Sequence, residues 1–374
     1  MSWAVPLADV KVTEDDVRAY LDCLNSGWLT MGPRTKAFEE AFAEAVEAPV
    51  AVAVSSGTAG LHLSLAAAGV GPGDEVVVPA FSFVADAAAA RYVGAEPVLA
   101  DAVGDHDLNV DPADVAARIT SRTKAVLAVH FMGYAADAVA LRALCDERGI
   151  ALVEDAAQAV CARYADGRQV GSAGEATAFS LFSKGQLCVG EGGMVVSPVA
   201  EIADTVRSLR SHAMTSVTWD RHRGHAESYD IVDVGFNFRM DEPRAALGLS
   251  RLERLAEDIE RRRAVVRAYR SALAGMDGVG LPWTDADVER ASHFAFPIML
   301  ETREVRDHVR ERLIADGVQT TWYPSITSFT EYRDAAGTCP RAEAIADRHV
   351  ALPLSSSYGD EQVGLVVEAL RRAL

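Results

Sequence analysis

The chain is short of cysteine, of positive charge and of long apolar runs, and each shortage removes a class of function. Its five cysteines (Cys23, Cys145, Cys161, Cys188 and Cys339) are odd in number and scattered, with no C-x-x-C spacing. That pattern speaks against a disulfide framework and against a thiolate metal centre, so no metal is expected. They read as reduced thiols of a cytoplasmic protein. Against 54 Asp and Glu the chain sets only 36 Lys and Arg, a formal net charge of −18 with a pI near 4.9. Such a balance excludes nonspecific binding to nucleic acid or to an anionic membrane, and any anionic substrate must be met by local cations. No apolar run reaches membrane-spanning length, and the first residues, Met-Ser-Trp-Ala-Val-Pro, lack the basic region and apolar core of a signal peptide. Internal repeats and low-complexity tracts are missing as well. The expectation is a soluble cytoplasmic protein with neither nucleic-acid nor membrane partners.

What the chain has in quantity is apolar sequence, 49% of 374 residues, enough for a packed interior and more length than one core usually organises. Short β-branched runs alternate with alanine-rich helical patterns between about Val50 and Pro198, the signature of a parallel α/β sheet. The strand runs are Val50–Val54, Glu75–Pro79, Pro97–Asp101, Ala125–His130, Ile150–Glu154, Thr177–Leu181 and Met194–Ser197. Helices are expected at Ala59–Ala68, Val84–Val93, Asp111–Ile119, Asp137–Arg148 and Ala200–Leu209, and one long amphipathic helix around Leu252–Met276. We place a domain boundary there: a large α/β domain, 1–250, with a mainly parallel seven-stranded sheet, and a smaller α+β domain, 251–374. The latter should hold strands near Phe294–Leu300 and Gln319–Trp322 and helices near Val305–Asp316, Glu343–His349 and Asp360–Leu374.

Several segments could carry chemistry. Lys184 stands between an apolar strand and the glycine-rich turn Gly190-Glu-Gly-Gly193. Partial desolvation there would supply the deprotonated amine that condenses with an aldehyde. Ser55-Ser-Gly-Thr-Ala-Gly-Leu61 follows a strand and opens a helix, which suits either a phosphate on freed backbone N–H groups or an ordinary N-cap. Asp155 ends a strand, where a carboxylate either meets a ligand in the crevice of an open sheet or caps the next helix. One turn on, Gln158 could donate to a phenolate oxygen. Phe83 follows another strand end and suits stacking on an aromatic ring or core packing. In Gly235-Phe-Asn-Phe-Arg-Met-Asp-Glu242, the guanidinium of Arg239 could fork onto a carboxylate or phosphate.

In this order, Gly57-Thr58, Pro79 through Phe83, Glu154-Asp-Ala-Ala-Gln158, Ser180 with Gly190-Glu-Gly-Gly193, and Gly235-Phe-Asn-Phe-Arg-Met240 resemble the motifs of the DegT/StrS-type sugar aminotransferases. Gly27-Trp-Leu-Thr-Met-Gly-Pro33 adds to the likeness, which covers nearly the entire chain. The resemblance implies a fold-type I enzyme dependent on pyridoxal 5'-phosphate (PLP). It also implies a homodimer with shared active sites, and transfer of an amino group from glutamate or glutamine to a keto group of a nucleotide-linked deoxysugar. By the same resemblance Gly57, Thr58 and Ser180 would hold the cofactor phosphate, with Asn237 reaching it from the neighbouring subunit. Phe83 would stack on the ring, Asp155 would pair with its protonated nitrogen and Gln158 would bond its hydroxyl. Trp28, Arg239 and Tyr323 would line the substrate side.

The lysine register departs from this pattern. The resemblance puts the Schiff-base lysine five positions after the motif serine, a slot filled by Gly185, and Lys184 stands one position early. Neighbouring side chains of an extended segment point to opposite sides. Either a local bulge turns Lys184 inward, or Gly185 marks loss of the lysine and the protein holds PLP or its amine form (PMP) without a covalent link, as a dehydratase-like or impaired enzyme would. A second departure is Trp322 before Tyr323, where the family often has histidine. The cluster Trp219-Asp-Arg-His-Arg-Gly-His225 is the most basic patch of the chain and reads either as a contact for the substrate diphosphate or as a solvated loop.

Overall fold

The structure is a computed structural model that describes residues 3–183, 185–216, 222 and 228–374. Its helices are α1 Glu14–Asn25, α2 Pro33–Ala45, α3 Gly57–Ala67, α4 Ala85–Tyr92, α5 Pro112–Arg118, α6 Ala138–Arg148, α7 Ala200–Leu209, α8 Glu242–Leu252, α9 Leu255–Leu273, α10 Asp285–Arg290, α11 Arg303–Ala315, α12 Pro340–Arg348 and α13 Asp360–Ala373. The strands are β1 Ala51–Val54, β2 Glu75–Pro79, β3 Glu96–Ala100, β4 Ala102–Gly104, β5 Asp107–Val110, β6 Thr123–Val129, β7 Ala151–Asp155, β8 Ala176–Ser180, β9 Gly193–Val196, β10 Phe296–Met299 and β11 His349–Leu352.

The seven expected strands form one sheet in the order β1-β9-β8-β7-β6-β2-β3. Only β9 runs against the others, pairing antiparallel with both β1 and β8. Every residue of β1, β2 and β9 is buried, as a sheet covered on both faces requires. Alternation along β2 divides the interior. Val76 and Val78 pack with Leu61, Leu65, Leu127 and Val153, whereas Val77 packs with Phe38, Phe42, Val126 and Leu152 on the opposite face. Parallel pairing of β2, β6, β7 and β8 brings their carboxyl ends to one edge, and β1 ends on the same edge.

In the remainder of the chain, β10 pairs with β11, flanked by α9, α11 and α13. Three expectations need correcting. The segment Gln319–Trp322 is not a strand: its only ladder contact is a bridge from Thr321 to Ala351. Its polar groups are engaged elsewhere. Gln319 Oε1 accepts the N–H of Leu7 at 2.8 Å, and Trp322 lies under the Arg306 guanidinium, 4.4 Å from ring centre to carbon. The pairing strand is instead His349–Leu352, directly after α12, which ends at Arg348. The long helix begins at Leu255 rather than Leu252, because the chain turns at Glu253-Arg254, where Arg254 and Arg251 both reach the buried Asp16 of α1. No helix among the described residues is long and apolar enough to cross a membrane.

Candidate active site

At the carboxyl edge of the sheet, β1 leads through Ser55-Ser56 into α3. Ser56 caps the helix by accepting the Ala59 N–H at 3.1 Å, so the N–H groups of Gly57 and Thr58 are left without an intrahelical acceptor. A Cβ on Gly57 would sit 2.9 Å from Cβ of Ser180, the last residue of β8. Only glycine allows the helix terminus so close to that serine. Gly193 serves the same approach from β9, since its Cβ would lie 2.5 Å from the Ser56 carbonyl oxygen. The first-turn N–H groups of Gly57 and Thr58 thus lie beside Ser180 at the positive end of a helix, an arrangement suited to a phosphate.

On the strand next to β8, β7 ends at Asp155, which is 6% exposed. Its Oδ1 accepts the Ala157 N–H at 2.7 Å. Burial raises its pKa, against the pull of the Ala157 N–H and of a hydrogen bond from Asp86. Gln158 accepts the Met132 N–H at 2.7 Å through Oε1, and its Nε2 donates to no other described group. Its carbonyl takes Nε2 of Gln186 at 2.5 Å, which ties the loop after β8 to the loop after β7. Phe83 stands just past β2 with 63% of its surface exposed, unlike its neighbour Phe81, which packs into the core against Phe131 and His349.

The half-buried Tyr323 comes from the C-terminal part of the chain. Its ring meets Phe131 edge-on at 5.6 Å and stacks on His349, whose Nε2 accepts the Tyr323 N–H at 3.0 Å. Burial pushes the phenol up to about 12. The next residues are pinned to the end of β2, with Ile326 N–H donating to the Ala80 carbonyl at 2.8 Å.

Asn237 is exposed and Arg239 half-buried, on either side of Phe238, whose carbonyl accepts the Ser55 N–H at 2.7 Å. Both therefore sit beside the α3 terminus, yet neither bonds to Asp155 or Gln158 within the chain. Desolvation, followed by the charge of Arg210, lowers the pKa of Arg239, and its guanidinium has no carboxylate partner among the described residues. Trp28 belongs to a loop held by Glu242, whose buried carboxylate accepts the N–H groups of Gly32, Arg34 and Thr35 and the Thr35 hydroxyl, all at 2.8–2.9 Å. The Trp28 indole packs 4.7 Å from the ring of His222. His222 is the one described member of the cluster Trp219–His225; the others lie outside the described residues.

Lys184 also lies outside the described residues. Among its described neighbours, Phe182 pairs with Gly190, the Val189 N–H donates to the Leu181 carbonyl at 2.9 Å and the Ser183 hydroxyl donates to the Gly190 carbonyl at 3.1 Å. Gly185 donates its N–H to the Phe182 carbonyl at 2.9 Å, and a Cβ there would lie 3.3 Å from that oxygen.

Two buried groups escaped the sequence reading. Asp86, in the first turn of α4, has no exposed surface, takes a hydrogen bond from Ser82 and faces Asp155. A single carboxylate in the alanine run Ala85-Asp-Ala-Ala-Ala-Ala90 was the available signal. Glu154, beside Asp155 but on the other face of the sheet, gathers Tyr164, His130, Thr177 and the N–H groups of Ala173 and Gly174. That set fixes the strand end and keeps Glu154 ionised despite burial. No group of side chains suited to a metal ion occurs among the described residues.

The family model of the DegT/DnrJ/EryC1/StrS aminotransferases matches residues 10–371. A dTDP-3-amino-3,4,6-trideoxy-alpha-D-glucose transaminase of Streptomyces venezuelae is 38% identical, covering 98% of this chain and 95% of its own. The GDP-perosamine synthase of Vibrio cholerae is 36% identical over 93% and 90%. Among solved structures, S. venezuelae DesV in complex with a ketimine intermediate superposes with a TM-score of 0.90 at 35% identity, over 100% of this chain and 98% of that one. The cofactor of this family is PLP, and the residues fit it: with no Cβ on Gly57 the α3 terminus lies directly against Ser180, which suits a phosphate, a buried carboxylate stands at a strand end, and the amide donor of Gln158, without an acceptor among the described residues, lies three residues beyond.

Proposed function

Because the chain belongs to the DegT/DnrJ/EryC1/StrS aminotransferase family, we propose that it moves an amino group from glutamate or glutamine to a keto group of a nucleotide-linked deoxysugar, as a homodimer in the cytoplasm. The observation that carries the reading is the convergence of the Gly57–Ser180 phosphate site and Asp155 on one sheet edge, in a chain matched along its length by nucleotide-sugar aminotransferases. Five free cysteines suit a reducing compartment.

When bound, PLP supplies an aldehyde carbon and a ring that accepts an electron pair. In this reading the α3 terminus, Thr58 and Ser180 bind its phosphate, and Phe83 covers one ring face. Asp155 holds the protonated ring nitrogen, and Gln158 Nε2 donates to the ring hydroxyl. Asn237 of the partner subunit completes the phosphate site. Lys184 Nζ anchors the cofactor and moves the proton between substrate carbon and cofactor carbon. Arg239, Trp28, Tyr323 and the basic cluster 219–225 orient the anionic sugar nucleotide. The boundary we place near residue 250 assigns Tyr323 to the smaller domain and the remaining groups to the larger.

The test is to follow cofactor absorbance on adding glutamate or glutamine, and then product formation on adding a nucleoside-diphosphate keto-deoxyhexose. Borohydride reduction with peptide mapping should place the pyridoxyl group on Lys184. Donor-driven spectral change without any labelled lysine would favour the alternative, in which Gly185 marks a lost lysine and PLP or PMP is held noncovalently. No spectral change with either donor removes the aminotransferase assignment.

A further inference from the structure

Asp86 and Asp155 approach each other, and neither is paired with a lysine or arginine among the described residues. Asp86 belongs to the first turn of α4 and has no exposed surface. The Ser82 hydroxyl donates to its Oδ2, while its Oδ1 has no donor among the described residues. The group in reach of that carboxyl is the carboxyl of Asp155. On the Asp155 side, Oδ1 already accepts the Ala157 N–H. His130, the nearest ring, has both nitrogens engaged: Nδ1 accepts the Ala136 N–H at 3.1 Å, and Nε2 faces Glu154 at 2.9 Å. Neither ring nitrogen bonds to Asp86 or Asp155.

Two buried carboxylates in contact cannot both be ionised, because each loses its hydration and meets a like charge. One proton between them turns repulsion into a charge-assisted hydrogen bond. Its preferred holder is Asp86, which is the more deeply buried and is served by one hydroxyl, whereas Asp155 has a backbone N–H and an outlet to the crevice.

We propose that Asp86 is a protonated acid that donates to Asp155, acting as a positioning residue that holds one negative charge, correctly aimed, beneath the cofactor ring. This rests on the reading that Asp155 pairs with the ring nitrogen. A donor on each side, Ala157 N–H and Asp86 O–H, fixes the plane of the Asp155 carboxylate and leaves its remaining lone pairs directed at the strand-end crevice. The low local dielectric strengthens both bonds.

The experiment has two arms on cofactor-free protein. Infrared spectra of wild type at neutral pH should show a protonated-carboxyl stretch that Asp86→Asn removes. Equilibrium titration with pyridoxamine phosphate, which needs no lysine link, should give Asp86→Asn an affinity within about threefold of wild type, since the amide still donates to Asp155. Asp86→Ala should bind about tenfold more weakly or worse, the effect of a lost hydrogen bond to a charged group. Rescue by asparagine separates positioning from mere packing, and the wild-type spectrum needs no variant to fold. A missing band, or a band that survives in Asp86→Asn, overturns the shared proton even where the cofactor binds normally. Equal affinities for Asp86→Ala and wild type overturn the positioning role. Failure of wild type to bind pyridoxamine phosphate overturns the role of Asp155 beneath the ring, and the proposal with it.

Discussion

A carboxyl kept neutral by burial binds its proton more tightly in the native chain than in the unfolded one, and Asp86 is held well above the usual carboxylate range by desolvation and by the neighbouring Asp155. Its contribution to stability is therefore complete below about pH 4, the unfolded value, and is lost as pH rises towards the native one. Asparagine has no proton to lose. The melting temperature of cofactor-free Asp86→Asn should overtake that of wild type as pH climbs from about 4 to 8, with the gap widening throughout; a constant gap would mean that Asp86 titrates normally. Gly57 permits a second residue-level test. In Gly57→Ala the new methyl lies 2.9 Å from Ser180 Cβ, so α3 must retreat from the end of β8, at a stability cost of about 1–3 kcal/mol. Affinity for pyridoxamine phosphate should fall at least tenfold, while unphosphorylated pyridoxamine binds as before. Equal losses for both would place the phosphate elsewhere. At this scale the places of Gly57, Asp155 and Ser180 at a helix start and two strand ends were legible, because each element boundary favours its own residue type. The sequence was silent on Asp86, because a carboxylate in a helix reads as a solvated face until the sheet beneath it is known.

Among elements, the joint between the loop at residues 27–33 and α8 turns on one side chain. Glu242 is fully buried and satisfies three backbone N–H groups and one hydroxyl at the start of α2. Gly32 lies against the Trp28 indole, with its Cβ position 2.6 Å from Nε1, so the loop that presents Trp28 is shaped by this latch. Glu242→Ala leaves four donors unpaired and should lower stability by about 3–5 kcal/mol. Glu242→Gln keeps an acceptor oxygen and should lose less than half of that; denaturant midpoints with unchanged m-values are the check. Equal losses for the two would mean that packing, not hydrogen bonding, holds the loop. The strands of the main sheet were legible because burial on both faces demands uninterrupted β-branched runs, and their ends mattered little. Legibility failed where tertiary contacts override pattern. Gln319 to Trp322 reads as a strand, but its partners are the N-terminal residues Val5 and Leu7, the Arg306 guanidinium and a bridge to Ala351. The pattern carries the helix through His349 and gives no strand at His349–Leu352, which follows α12 without a turn residue and which only pairing with β10 reveals.

For the molecule as a whole, the proposed pairing of two chains makes demands that one chain leaves visible. Immediately before Gly235, the stretch Tyr229–Val234 exposes Tyr229, Ile231, Val232 and Val234, the last at 84%. An apolar run at that level is costly to leave in water, and it leads directly into the exposed Asn237. Asn237 does not bond to the phosphate-site residues of its own chain. If it acts across the interface, covering the apolar run and completing the cofactor site are one event. Introducing charge at both Val232→Glu and Val234→Glu should then produce monomers in sedimentation velocity. Those monomers should keep the thermal transition of the sheet core, whose packing these side chains do not enter, yet bind pyridoxamine phosphate at least tenfold more weakly. Asn237→Ala should weaken binding while leaving the dimer intact, and mixing the two variants should restore no affinity beyond that of either alone. Monomers that bind the cofactor as tightly as wild type would show that each chain builds its phosphate site unaided, with Thr58, Ser180 and the α3 terminus sufficient.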